Sequence, residues 1–335
     1  MLHRLHLDRI RIKILVFAVL ATLVPALTLS YHSYSMNREH VNARIAEELR
    51  NASTQAAREF NLWLKERFYE TRVFATSYEV TENLEQLGRG REAGRQGPEA
   101  VRRLTEYLAS IRAKFSDYDD LCVLGFDGER LVPATGEALR GRLPREWVKQ
   151  IRADDNVVGA PYRDARRDKA VMLIAIPIKA ANGRLLGAMA ARLNFDTIDK
   201  VVKSFAVGHT GGVHIVDQQS RIIVSSASTA APALATRVPA AATTKLLESG
   251  DATTVYADVD GQSVIGTMRP VSVIGGTAVA EIARAEAYAR VSRQRNVTVI
   301  TLVGAGDCRG VRRVRAGADG GPPARAVEGR RHPGG

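Results

Sequence analysis

The residues able to do chemistry are few and scattered along this 335-residue chain. His209 and His214 lie five apart around Gly211-Gly212, a turn-into-strand pattern and not a helical metal pair, so two unrelated histidines are expected in place of a zinc site. Asp154-Asp155 and the group Asp117, Asp119 and Asp120 supply carboxylates, but no His or Lys stands at a spacing that marks an acid–base partner. Solvated loop acids are the expectation for both groups. Cys122 in an apolar run and Cys308 near the end give neither a disulfide framework nor a metal pattern, and Cys122 reads as a small buried apolar residue. No phosphate-cradling glycine loop, nucleophile elbow or HExxH occurs. The reading is a binding protein, with no enzyme activity and no cofactor.

Charge narrows the class. The net charge is +12, but it is concentrated at the two ends. Arg4, Arg9, Arg11 and Lys13 against Asp8 give +3 before the first apolar run, and seven arginines against three acids give +4 after residue 306. The middle carries the remaining +5 with no basic stripe and no interleaved aromatics, which excludes a nucleic-acid partner. An apolar fraction of 45% and a charged fraction of 25% are those of a folded globular chain.

The elements that must position any binding site begin with the run ILVFAVLATLVPALTLSY (14–31), which is uncharged and long enough to cross a bilayer core of roughly 30 Å as a helix. A basic flank (1–13) precedes it and acids soon follow, so the N-terminus is expected in the cytoplasm and the rest outside it. Pro25 is tolerable in a membrane helix, and Tyr31 and Tyr34 sit where interfacial anchors are useful, giving an anchor over 14–34. From 35 to 87, Val41, Ile45, Leu49, Ala52, Ala56 and Phe60 recur at spacings of three and four, followed by Trp63, Leu64, Phe68, Val73 and Phe74. That pattern predicts one long stalk helix, paired with a second copy as a parallel homodimer. Gly88 to Pro98 breaks it, and a helix over 99–114 follows.

Short strands joined by tight turns then take over. LCVLGF (121–126) meets ERLV across Asp127-Gly128, and AVMLIAIPIKA (170–180) meets RLLGAMAARL (184–193) across Asn182-Gly183, a strong hairpin signal. Pro177 implies an edge or bulged position. A helix over 195–205 closes this first module (88–205). The second (206–290) repeats the order: GGVHIVD and RIIVSS, a helix near 240–247, TTVYADV and QSVIGTM across Asp260-Gly261, then TAVAEI. The fold class predicted is α+β, two tandem antiparallel-sheet modules behind a long helix, with no strand–helix alternation for a parallel sheet.

A helix over 283–295 leads into NVTVITLVGA (296–305), an apolar run of about half a membrane span. Residues 306–335 then turn to Gly, Arg, Ala and Pro, a composition that makes no packed core. Two readings stand: a native basic tail, or a reading frame shifted inside a second membrane helix, with the output domain lost. The second accounts for both halves and is preferred.

This order of parts resembles the double Cache (dCache) sensory domains of bacterial receptors, whose modules are PAS-like. The carriers are the anchor with its internal proline, AAREFNLWLKERFYETRVFA (56–75), DYDDLCVLGFDGE (117–129), GAPYRD (159–164), IAIPI (174–178) and LLGAMAARLNFDTI (185–198). The resemblance covers about residues 10 to 305 and implies the input half of a sensor histidine kinase in the bacterial inner membrane, with a chemoreceptor or diguanylate cyclase as alternatives. A passive surface or adhesion protein is the competing class.

The resemblance also places a small-molecule ligand in the membrane-distal module. In RLPREWVKQ it implies a carboxylate-binding Arg145 and a wall residue, Trp147, although Val148 stands where amino-acid-binding members have Tyr. Tyr162 and Asp164 of PYRD match a pocket-lining pair, and Arg192 falls where those members carry the acid that receives the ligand's amine. A cation there repels an ammonium, so a mono- or dicarboxylate held by Arg145 and Arg192 is expected. The bland alternative has Trp147 in the core, Arg145 solvated and Arg192 paired with Asp164 or Asp168.

Overall fold

The computed structural model describes residues 2–92, 97–127, 130–132, 143–164, 168–205, 207–227 and 234–289. The apolar run 296–305 and the tail 306–335 lie outside the described residues. Contacts divide the chain at His40: Val41–Ala287 forms one compact unit, apart from the terminal segments.

Helix α1 runs from Leu2 to Ala75 and contains residues 14–34, many of whose side chains lie outside the described set. Among the described residues no helix is long and apolar enough to cross a membrane. From residue 41 onward the three-and-four spacing becomes a buried stripe: Leu49, Ser53, Ala56, Phe60, Trp63, Leu64, Phe68, Thr71 and Phe74 face the core. The predicted single helix through Leu87 is in fact two. α1 stops at Ala75, and α2 spans Tyr78–Glu92. Ser77 makes the break: its hydroxyl and carbonyl both accept from the Val80 amide, an N-cap arrangement that starts a new helix. Helix α3 (Pro98–Lys114) begins with proline at its first turn and buries Ala100, Leu104, Leu108 and Ile111.

The first sheet contains β1 (Tyr118–Leu124), β2 (Arg130–Val132), β3 (Val157–Val158), β4 (Tyr162–Asp164), β5 (Lys169–Lys179) and β6 (Leu185–Asn194). Its order is β2-β1-β6-β5-β3, with β4 also on β5, and every pairing is antiparallel. Between β2 and β3 lies a short helix, α4 (Trp147–Arg152), that periodicity did not reveal. The Asn182-Gly183 turn is as expected, with Gly183 at φ +80°, where an L side chain is strained. Pro177 faces Ala188 on β6, while β3 stops pairing at Ala175, so the proline needs no N–H on its other side. Helix α5 (Asp196–Lys203) leads to the second sheet.

The second sheet is formed by β7 (Gly212–Val216), β8 (Ile222–Ser225), β9 (Thr254–Ala257), β10 (Ser263–Val271) and β11 (Gly276–Ala283), in the order β8-β7-β11-β10-β9. This is the first sheet's path again, so the repeat read from the hairpins is a repeat of topology. Helix α6 (Ala240–Ser249) inserts Ala242 and Leu246 into a core with Val216, Ile222, Tyr256, Val264 and Val279. Where a helix to Arg295 was expected, the described α7 covers only Arg284–Ala287.

The expectation for Asp117, Asp119 and Asp120 is corrected. They are not solvated: Asp117 in the turn before β1 and Asp119 and Asp120 in β1 itself are 4%, 7% and 2% exposed. The apolar run that follows pulls the acids into the sheet, and fixed partners replace their water. Asp154 and Asp155 are exposed, as expected.

Candidate ligand-binding face

Strand register decides which side chains share a face, because alternate residues of each strand point the same way. Arg192 on β6 stands opposite Asp120 on β1 and Leu173 on β5. Two residues back, Ala190 faces Cys122 and Ala175, and then Ala188 faces Leu124 and Pro177. On the far side of β5, Tyr162 pairs with Val171 and Asp164 with Lys169, so β4 adds both to the Arg192 face. One surface of the sheet therefore has a polar end (Arg192, Asp120, Tyr162, Asp164) and an apolar end. The apolar end of Cys122, Ala175, Ala188 and Ala190 packs under Ile151 and Val157, with Trp147 half-buried against them.

A β-bulge adds one more group. The β1–β6 register slips between Tyr118 and Asp120, leaving Asp119 as the extra residue. The Arg192 Nε lies 3.9 Å from Asp119 Oδ2, and Nη1 lies 3.6 Å from Asp164 Oδ2. Arg192 is 4% exposed, and its Nε makes no hydrogen bond among the described residues. Burial pushes the Tyr162 phenol up from its ordinary pKa, with the nearby Arg192 charge opposing that rise. Asp119 also accepts from Asn194 Nδ2 at 3.0 Å.

Four of the five residues taken from the resemblance thus share one face: Trp147, Tyr162, Asp164 and Arg192. Arg145 sits exposed on the turn before α4. The Arg192–Asp164 pairing anticipated as the bland alternative is present, whereas Asp168 pairs with Arg163 instead. Sequence reasoning missed Asp119 and Asp120 as members of this face. Their spacing from the apolar run was visible; the bulge that turns both toward β6 was not.

The second module holds a separate polar cluster. His214 Nε2 is 3.2 Å from Glu281 Oε1, and the Tyr256 hydroxyl donates to Glu281 Oε2 at 2.6 Å. Burial alone raises the Glu281 carboxyl, but the His214 and Tyr256 hydrogen bonds and the His214 charge outweigh it and hold Glu281 below its ordinary range. His209, by contrast, is exposed. Among the described residues no group of three or more His, Cys, Asp or Glu side chains could hold a metal ion.

Comparison with known proteins agrees with this architecture. The profile described as Cache domain matches residues 37–291. The ligand-binding domain of the Pseudomonas fluorescens chemoreceptor CtaA, solved with L-isoleucine, superposes with a TM-score of 0.52 at 16% identity, covering 76% of this chain and 98% of that one. That of the Campylobacter jejuni chemoreceptor Tlp3, solved with 4-methylisoleucine, gives 0.53 at 10% identity over 74% and 94%. The sensor domain of the V. cholerae histidine kinase DctB gives 0.53 at 11% identity over 72% and 98%. No curated protein sequence matches the chain.

Proposed function

The chain belongs to the Cache domain family, and from that premise we propose that it is the extracytoplasmic small-molecule sensing part of a bacterial membrane receptor. Residues 14–34 would anchor it in the inner membrane, and residues 88–205 would carry the ligand. The exposed residues Leu62, Tyr69 and Val73, which recur at helical spacing on α1, support a parallel homodimer along that helix.

The observation that carries the ligand class is the buried Arg192 with Asp119 and Asp164 beside it and Asp120 opposite. The sequence argument against an ammonium rested on Arg192 alone. Three carboxyl groups around one guanidinium reverse it, because they more than compensate its charge. The Arg192 Nε still offers a donor to a carboxylate. The face therefore suits a small ligand bearing both a carboxylate and an ammonium, with Tyr162 and Trp147 against its apolar body and Arg145 at the exposed rim.

Calorimetry of the purified chain against amino acids, matched dicarboxylates and matched amines tests this. Amino acids should bind, and Arg192→Met and Asp164→Asn should each abolish the signal. A melting temperature indifferent to all three panels would favour the passive surface protein, since a ligand of the native state must raise stability. For the parent receptor a histidine kinase is the proposed output.

A further inference from the structure

Four consecutive side chains, Asp117 in the turn before β1 and the first three of the strand, divide between two structures. Asp117 and Tyr118 hold helix α1; Asp119 and Asp120 belong to the Arg192 face. The bulge at Asp119 is what permits this division, since a regular strand would alternate faces residue by residue.

The α1 side is densely bonded. Asp117 Oδ2 accepts from Trp63 Nε1 at 3.1 Å and also from Arg67. Its Oδ1 accepts from the Thr197 hydroxyl, in the first turn of α5. The Tyr118 hydroxyl donates to the Arg67 carbonyl at 3.1 Å and to Glu70 at 2.9 Å. The Trp63 ring packs on Phe195, the residue before α5, with centroids 5.6 Å apart. One buried carboxylate thus ties α1 to the helix that leads into the second module.

Asn194 closes the connection to the Arg192 face. Its amide N–H donates to the Asp117 carbonyl at 3.0 Å, and its side chain donates to the Ser116 carbonyl at 2.8 Å and to Asp119 at 3.0 Å. Asp119 and the Ser116 and Asp117 carbonyls thus share one partner, Asn194.

We infer that Asp117 is a positioning residue that transmits rearrangement of the Arg192 face to α1 and α5. Its signalling meaning rests on the ligand reading above, but the mechanical coupling does not require a ligand. Asp119 is its input, Trp63, Arg67 and Thr197 its outputs. Because all of these sit in one bonded unit, the coupling is carried by contacts and not by distance alone.

Hydrogen exchange read by mass spectrometry on the full chain in lipid nanodiscs tests it without any ligand. Asp119→Asn should speed exchange of peptides over 60–72 and 196–203 by at least about fivefold, the low end of typical coupling. Peptides over 240–249 in α6 should not change. In an Asp117→Asn background, whose amide oxygen still accepts from Trp63 or Thr197, the same Asp119→Asn change should leave 60–72 unaffected. Trp63→Phe, which removes one donor and keeps a ring, gives the parallel comparison if Asp117→Asn yields no folded protein, and there the response should be reduced. An equal response of 60–72 in both backgrounds, or none in the wild-type background, overturns the inference. Failure of the ligand reading would appear separately, as silent calorimetry with this coupling intact.

Discussion

The Tyr256 hydroxyl reaches across strand β10 to Glu281, passing over Gly266, and donates to the carboxylate at 2.6 Å. Gly266 lies opposite Glu281 in the sheet, and a side chain there would collide with the Tyr256 hydroxyl. The phenol occupies the space a side chain would fill. Three residues on three strands therefore specify one hydrogen bond.

Tyr256→Phe should lower stability by about 1.5–3 kcal/mol, the range for a hydrogen bond to a charged group. Chemical denaturation with an unchanged m-value would read this directly. A loss below about 0.5 kcal/mol would mean the bond is replaced by water or by His214 alone.

Gly266→Ala should cost about 1–3 kcal/mol, because the added methyl displaces both the phenol and the Ala280 carbonyl 2.9 Å away. Thermal melting checks it. In a Tyr256→Phe background the cost should fall, since the two changes act on one contact and are not additive.

Stability should also depend on pH through Glu281. Its folded pKa is depressed, so the unfolded chain takes up a proton at higher pH than the native one, and acid favours unfolding. The contribution is complete above the ordinary carboxylate value of 4.5 and is lost as pH falls through the lower folded value. The difference in melting temperature between the wild-type chain and Glu281→Gln should shrink as pH falls below about 4.5. A difference that grows below that pH would contradict the arrangement.

Arg192→Met should destabilise the first module by about 3–5 kcal/mol, because it leaves Asp119 and Asp164 buried without their cation. That is a large share of a typical domain's total stability, so urea denaturation should show a clear fall in midpoint. Adding Asp119→Asn and Asp164→Asn should recover part of the loss.

Cys122 should resist alkylation in the native chain. It is fully buried, and burial pushes its thiol up to about 12. In a Cys308→Ser background, thiol labelling at pH 8 should require denaturant; rapid native labelling would show that the Arg192 face opens.

Much of this fold could be read from residue order. The Asn182-Gly183 and Asp260-Gly261 turns, flanked by apolar runs, fixed two hairpins, and Gly183 and Gly261 both adopt positive φ. The two sheets followed because the same order occurs twice. What stayed hidden depends on contacts between distant segments. Helix α4 is six residues long, too short for an apolar period, and it is recognised only by Ile151 and Trp147 meeting the sheet. Arg192, Asp164, Tyr162 and Trp147 were named through a family resemblance, and register explains why they share a face. The Asp119 bulge and the Tyr256–Glu281 bond left no periodic signal, since each is set by a single offset between strands.

The bulge at Asp119 also bears on how this chain can change over generations. Loss of Asp119 alone would abolish the slip and return the strand to strict alternation, with Tyr118 still opposite Leu193 and Asp120 still opposite Arg192. The grip on α1 would survive, while the Arg192 face would lose one carboxylate. Loss or gain of a residue at this one point can therefore alter the charge of the face without turning the strand over.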